Sequence, residues 1–148
     1  MKIHKIDHIG IVVKDIAAVK AFFLDFGLEL AGEGDSQGKL IDHDGVERDA
    51  KQHIVALRTP DGEATIELLC YQTPTDPRAL QEAYEYTPGI RHIAFAVEDI
   101  DGLVARLKAN GTRPFSEIQA LSNGEAMYKL VYIHGPEDII LELDEKIV

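Results

Sequence analysis

The chain has 148 residues, of which 45% are hydrophobic and 28% are charged. This composition is ordinary for one soluble globular domain and excludes disorder as the main state. The formal net charge is −11, so the chain would repel phosphate backbones and anionic lipids. We therefore expect neither nucleic acid nor a membrane surface as a partner.

Cysteine content and targeting patterns favour a reducing, cytoplasmic setting. Cys70 is the single cysteine, which excludes an intrachain disulfide and a cysteine-based zinc site. No apolar run approaches the roughly 20 residues that a spanning helix needs. No cleavable signal sequence is visible either.

An internal repeat organises the chain. Residues 6–27 align with residues 90–111 without a gap, and 8 of the 22 positions are identical. Chance would give about one or two identities, so the alignment indicates a duplicated unit. The identical pairs are Ile6/Ile90, His8/His92, Ile9/Ile93, Val13/Val97, Asp15/Asp99, Ile16/Ile100, Ala21/Ala105 and Gly27/Gly111.

Each copy begins with the same predicted elements. Residues 6–13 and 90–97 are rich in Ile, Val and Ala, which is typical of strands. Asp15 and Asp99 then stand as helix N-caps, and Gly27 and Gly111 stand where the helices would end. Three strands follow in each copy, near 28–33, 52–59 and 64–71 in the first and near 113–121, 127–134 and 139–144 in the second. Each copy is therefore predicted to be βαβββ.

The predicted organisation is a single domain over residues 1–148. Module one covers about 1–72, and module two covers about 89–148. Between them, residues 73–88 predict a helical connector, since Asp76-Pro77 resembles a helix start and Leu80, Ala83 and Tyr84 have helical spacing. The polar, glycine-rich stretch 32–51 is predicted to be a long loop of the kind that often covers a site.

Strand alternation selects four candidate metal ligands. His8 and His92 share a strand face with small neighbours such as Gly10 and Ala94, which leaves room for a cavity. The last strand of each module carries one glutamate between leucine or isoleucine neighbours. These residues are Glu67, within Ile66-Glu67-Leu68, and Glu142, within Leu141-Glu142-Leu143.

Converging carboxylates need a cation. Two carboxylates brought together alone would repel each other, whereas a divalent ion neutralises both. The set His8, Glu67, His92 and Glu142 offers two nitrogen and two oxygen ligands, which leaves two octahedral positions for water or substrate. Such a set suits Zn²⁺, Ni²⁺, Co²⁺ or Mn²⁺ better than Ca²⁺. We therefore predict one divalent ion per site.

These residues resemble the vicinal oxygen chelate superfamily, also called glyoxalase/bleomycin resistance/dioxygenase. The resemblance covers nearly the whole chain and rests on Asp7-His8-Ile9-Gly10-Ile11-Val12-Val13, Phe22-Phe23 to Gly27, Ile66-Glu67-Leu68, His92-Ile93-Ala94 and Gly135-Pro136-Glu137-Asp138 leading to Glu142-Leu143. It implies an α+β fold in which two tandem βαβββ modules form a curved mixed sheet around a central metal cavity, often in a homodimer. Asp138 stands where the family usually has glycine.

The resemblance also implies an activity. Members with similar ligands include glyoxalase I (lactoylglutathione lyase), which moves a proton through an enediolate while a metal stabilises the charge. By position Glu142 would be the base, with Glu67 as its alternative or partner. The small-molecule substrate would be a carbonyl compound or a thiol adduct. Two other functions stay open: an enzyme like methylmalonyl-CoA epimerase, and a bleomycin-resistance-type binding protein without chemistry.

Overall fold

The computed structural model describes residues 1–147, which form two compact units, one over Met1–Ala79 and the other from Leu80 onward. Each unit contains four strands in one mixed sheet and one α-helix. The predicted α+β class and the tandem βαβββ modules are thereby confirmed. Neither α-helix within residues 1–147 has the length and apolar character that crossing a membrane requires.

The first module forms a sheet in the order β1-β4-β3-β2. The first and last strands pair in parallel, and the other neighbours are antiparallel. Because β1 and β4 pair in parallel, two predicted ligands that are distant in sequence, His8 and Glu67, lie on adjacent strands. The elements are β1 (His8–Val12), α1 (Ile16–Phe26), β2 (Glu29–Ile41), β3 (Glu47–Arg58) and β4 (Thr65–Thr73).

The second module repeats this arrangement in the order β5-β8-β7-β6, with β5 and β8 parallel. A short 3₁₀ turn over Pro136–Asp138 precedes its last strand. The parallel pair β5–β8 is equivalent to β1–β4, so His92 and Glu142 also lie on adjacent strands. The elements are β5 (His92–Ala96), α2 (Ile100–Ala109), β6 (Gln119–Ser122), β7 (Met127–His134) and β8 (Ile140–Lys146).

Both helices begin and end as the repeat predicts. The Asp15 carboxylate accepts a hydrogen bond from the backbone of Ala18 at 3.0 Å, and the Asp99 carboxylate accepts one from Gly102 at 3.1 Å. At the other end Gly27 has φ +125° and Gly111 has φ +88°. At these backbone angles glycine avoids the steric cost that a side chain would bring.

Each helix packs on one face of its own sheet, and the predicted glutamate ligand lies on the opposite face. In the first module Val19 and Phe23 of α1 are fully buried, and so are Val55, Leu57 and Leu68 of the sheet. Burying each such side chain contributes roughly 1.5–3 kcal/mol. In the second module the matching buried residues are Ile100, Val104, Leu107, Val131, Ile133, Leu141 and Leu143.

The predicted loop over 32–51 is wrong, because this stretch forms most of a long β-hairpin. Strand β2 extends to Ile41 and pairs with β3 along its length. The hairpin turn is held by the Asp42 carboxylate, which accepts from the backbone of Val46 and from the Arg48 side chain. Ladder pairing and this turn override a polar composition that argues against a strand.

The predicted helix in the connector 73–88 is also wrong. No helix occurs between residues 74 and 91. Asp76 does accept from the backbone of Arg78 at 3.0 Å, as a helix cap would. However, the apolar side chains of Leu80 and Tyr84 are 59% and 66% exposed. A helix this short is marginal unless its apolar face packs against something, and here that face does not.

Candidate functional site

The first donor pair joins the two parallel strands of module one. His8 stands opposite Thr65, and Glu67 stands opposite Gly10, so the histidine and glutamate are diagonal neighbours on one face. His8 Nε2 lies 3.4 Å from Glu67 Oε2. Both side chains are partly exposed, at 46% and 27%. An imidazole nitrogen and a carboxylate oxygen, both metal-binding atoms, therefore face each other.

The second donor pair repeats the first in module two. His92 stands opposite Ile140, and Glu142 stands opposite Ala94, which is the same diagonal register. His92 Nε2 lies 3.1 Å from Glu142 Oε2. The glutamate side chain is only 11% exposed, so this pair is the more deeply set of the two.

Local charge favours the protonated form of His8 in the protein alone. Its Nδ1–H donates to the Asp7 carboxylate at 2.8 Å. This hydrogen bond, followed by the charge of Glu67, raises the pKa of His8 above its ordinary value. The same contact lowers the pKa of Asp7. Since a metal needs the neutral imidazole, the raised pKa of His8 makes binding of an ion there weaker as the pH falls.

The two glutamates have different surroundings. Tyr132 of β7 stands directly opposite Glu142, so the two side chains lie on the same face of the sheet. Burial, followed by the neighbouring Glu142 carboxylate, raises the pKa of Tyr132 to about 12. Asp144 lies two residues along β8, and burial together with Glu142 raises its pKa to about 6. The Asp144 carboxyl group is thus a close neighbour of the Glu142 carboxylate.

Sequence reasoning missed Tyr132 and Asp144. Asp144 follows Glu142 by two residues and shares its strand face, so alternation along β8 could have found it. Tyr132 could be found only from the β7–β8 register, which the sequence does not give. The internal repeat was no guide to either residue, because Ala56 and Leu69 occupy the matching positions in module one.

An aromatic cluster lies beside the second pair. The rings of His92 and Tyr132 meet edge to face with centroids 5.4 Å apart. Phe115 lies 6.0 Å from Tyr132 and stacks on His134 at 4.1 Å. Burial, followed by the Arg113 charge, lowers the pKa of His134. The cluster provides a flat, largely uncharged surface next to Glu142.

His53 of β3 lies on a different surface of module one from the first donor pair. His53 is on the helix-packed face of module one, where Nε2 meets Glu33 at 2.9 Å and Nδ1 meets Asp35 at 2.8 Å. It borders a cavity of about 370 Å³ under α1. Because His53 pairs with Cys70 while Glu67 pairs with Ala56, this cavity lies on the opposite face of the sheet from the first donor pair.

Within residues 1–147, no group of three or more His, Cys, Asp or Glu side chains is already gathered as a metal site. Each module instead supplies one pair of donors, an imidazole and a carboxylate. The donor types suit a borderline divalent metal, since each pair combines one imidazole with one carboxylate.

Comparison with known proteins identifies the family of the chain. The family model of the glyoxalase/bleomycin resistance protein/dioxygenase superfamily matches residues 5–142, and the chain belongs to that superfamily. Uncharacterized protein YaeR of Escherichia coli K12 is 30% identical, with 96% of each chain covered.

Solved structures extend the comparison. A glyoxalase family protein from Bacillus cereus is 30% identical with a TM-score of 0.86, and the match covers 100% of this chain and 97% of that one. An antibiotic binding protein from a Streptomyces species has a TM-score of 0.62 at 15% identity, with 99% of each chain covered. This second likeness concerns the fold alone.

Proposed function

We propose that the protein is a metal-dependent lyase or isomerase of the glyoxalase I type that acts on a small carbonyl compound or thiol adduct. His8, Glu67, His92 and Glu142 would bind one divalent ion per site. The observation that carries this proposal is the identical diagonal register of the two His–Glu pairs. Duplication of the fold does not by itself require each module to keep one histidine and one glutamate at equivalent positions of its sheet. Their retention in both modules supports a shared function.

The donor set defines the metals that fit. Two imidazoles and two carboxylates suit Zn²⁺, Ni²⁺, Co²⁺ or Mn²⁺, and the two carboxylates neutralise the ion's charge. When bound, such an ion would act as a Lewis acid that stabilises negative charge on a substrate oxygen. This contribution matters because a proton next to a carbonyl group leaves reluctantly without it.

Glu142 is the proposed base. Its carboxylate would take the proton from the carbon next to the carbonyl group and return it to the adjacent carbon, so that the substrate is isomerised without net change in composition. Its 11% exposure limits competing exchange with water. Glu67, at 27% exposure, is the alternative base or its partner.

Two substrates tested side by side would decide the activity. The methylglyoxal–glutathione hemithioacetal tests the glyoxalase reaction, and methylmalonyl-CoA tests epimerisation, which uses the same proton chemistry. We expect turnover of the first, dependent on added Ni²⁺, Co²⁺, Zn²⁺ or Mn²⁺ and abolished by chelation. Turnover of methylmalonyl-CoA alone would move the proposal to an epimerase.

A second candidate is a small-molecule binding protein that performs no chemistry. The aromatic cluster of Phe115, Tyr132 and His134 favours it, since flat rings bind flat ligands without help from a metal. This candidate predicts no retained metal after purification in metal-supplemented medium. About one ion per chain would favour the enzyme.

We further propose that the protein is a cytoplasmic homodimer. Several large apolar side chains are exposed on the single chain, among them Ile6 at 69% and Ile90 at 92%. Burial of such side chains against a second copy would remove their apolar surface from water. Sedimentation equilibrium would give a dimer mass, and a monomer at micromolar concentration would remove this part of the proposal.

A further inference from the structure

The two glutamates have unequal hydrogen-bonding environments. Tyr132 stands directly opposite Glu142 in the β7–β8 ladder, so its side chain, which carries a hydroxyl donor, lies on the same sheet face as that carboxylate. At the equivalent place in module one, Ala56 stands opposite Glu67. A methyl group cannot hydrogen bond, so no side chain at that position restrains the Glu67 carboxylate.

The Tyr132 ring is itself held from two sides. The His92 ring meets it edge to face at 5.4 Å, and Phe115 lies 6.0 Å away on a tilted plane. The backbone carbonyl of Tyr132 also accepts a hydrogen bond from the Phe115 backbone at 2.9 Å. A ring fixed in this way presents its hydroxyl in one direction, which lowers the entropy cost of holding a neighbouring carboxylate.

Burial increases the effect of this contact. Glu142 is 8% exposed as a residue, and it is the one buried charged residue of the described chain. A carboxylate removed from water depends on protein donors for its hydrogen bonds, and loss of one donor is correspondingly costly. Glu67 is exposed enough to be hydrated instead.

We infer that Tyr132 is a positioning residue that orients the Glu142 carboxylate and so makes the two glutamates unequal. The inference rests on the proposed function, in which Glu142 is both ligand and base. In this role the Tyr132 hydroxyl donates to the Glu142 carboxylate that it faces across the ladder, and Tyr132 acts through Glu142 and not on substrate. Glu142 is thereby the constrained donor of the set, and Glu67 is the adaptable one.

Cobalt binding to the purified full chain tests the inference. Tyr132→Phe removes only the hydroxyl, and Tyr128→Phe, on the same strand and face, is the matched control. We expect Tyr132→Phe to weaken Co²⁺ binding about tenfold and to shift the visible absorption bands of the bound ion. The control should change neither quantity.

Combining Tyr132→Phe with Glu67→Ala and with Glu142→Ala shows whether its effect on Co²⁺ binding depends on Glu142. In Glu67→Ala the loss caused by Tyr132→Phe should stay near tenfold, whereas in Glu142→Ala it should disappear. Equal losses in both backgrounds would overturn the inference, because they would show a general structural effect. No loss in the wild-type background, with unchanged bands, would overturn it as well.

A metal-free measurement separates this inference from the proposed function. In urea unfolding with chelator present, Tyr132→Phe should raise the equilibrium constant of unfolding about fivefold in the wild-type background. In Glu142→Ala it should have no effect or be stabilising, since it removes an unpaired hydroxyl. If the wild-type protein binds no cobalt, the proposed metal chemistry fails. Comparison of the unfolding equilibria in the wild-type and Glu142→Ala backgrounds still decides whether Tyr132 orients Glu142. Equal effects in the two backgrounds would show that it does not.

Discussion

His92 and Glu142 lie on neighbouring parallel strands with Nε2 and Oε2 3.1 Å apart, in the same diagonal register that joins His8 to Glu67. One rule of strand pairing therefore produces both donor pairs. The pairs are set apart by burial and by neighbours, because only the second has a tyrosine and an aspartate beside its glutamate.

Replacing the proposed base should remove catalysis. Glu142→Gln keeps the shape of the side chain but cannot accept a proton at neutral pH. We expect turnover of the hemithioacetal to fall at least about a hundredfold, the usual contribution of a positioned acid–base group. Initial rates at saturating substrate and metal would measure the loss. Glu125→Gln, on an exposed turn, is the control, and an unchanged rate for Glu142→Gln would remove its role.

The first turn of α2 depends on a distant carboxylate. Glu145 of β8 accepts hydrogen bonds from the backbone of Asp99 and Ile100, each at 3.0 Å. Glu145→Ala leaves these donors without their partner, and we expect a loss of about 1 kcal/mol in the free energy of unfolding. Urea denaturation would measure it. Glu145→Gln should lose less, since its amide oxygen still accepts, and the reverse order would contradict this role.

The turn before β8 contains residues in a backbone conformation that glycine adopts more easily. Asp138 has φ +58°, in the left-handed region, at a place where the superfamily usually has glycine. Asp138→Gly should stabilise the protein by about 0.5–1 kcal/mol, and the β-branched Asp138→Val should destabilise it. Thermal unfolding of both variants would check this. A loss of stability in the glycine variant would show that the Asp138 side chain matters more than its backbone.

The His53 network predicts a pH-dependent contribution to stability. The hydrogen bonds that His53 donates to the carboxylates of Glu33 and Asp35 raise its pKa above the ordinary 6.5. A raised folded-state pKa means that the charged imidazole stabilises the fold below pH 6.5, and that this contribution is lost as pH rises through the folded-state value. The stability difference between wild type and His53→Gln should therefore be larger at pH 6 than at pH 9. Urea unfolding with chelator would measure it, and a constant difference would refute the charge-based account.

Much of the fold could be predicted because the two copies of the duplicated unit can be compared with each other. Asp15 and Asp99 cap their helices, and the histidine–glutamate pairing within each module follows from alternation along four strands. These features depend on local spacing, which a sequence displays directly.

The predictions failed for segments whose structure depends on contacts with distant parts of the chain. The stretch 32–51 is polar, yet ladder pairing makes it a hairpin. The connector has helical spacing, yet Leu80 has no packed surface that would stabilise a helix. Tyr132 reaches Glu142 only through the register of two strands, which neither propensity nor periodicity specifies.

Calorimetric titration of the metal-free protein with Co²⁺ measures whether the four proposed ligands bind an ion. The proposed site requires about one ion per chain, with binding weakened strongly by substituting alanine for any one of His8, Glu67, His92 and Glu142, and left unchanged by His43→Ala on an exposed turn. Absence of binding, or binding that survives all four substitutions, would contradict it.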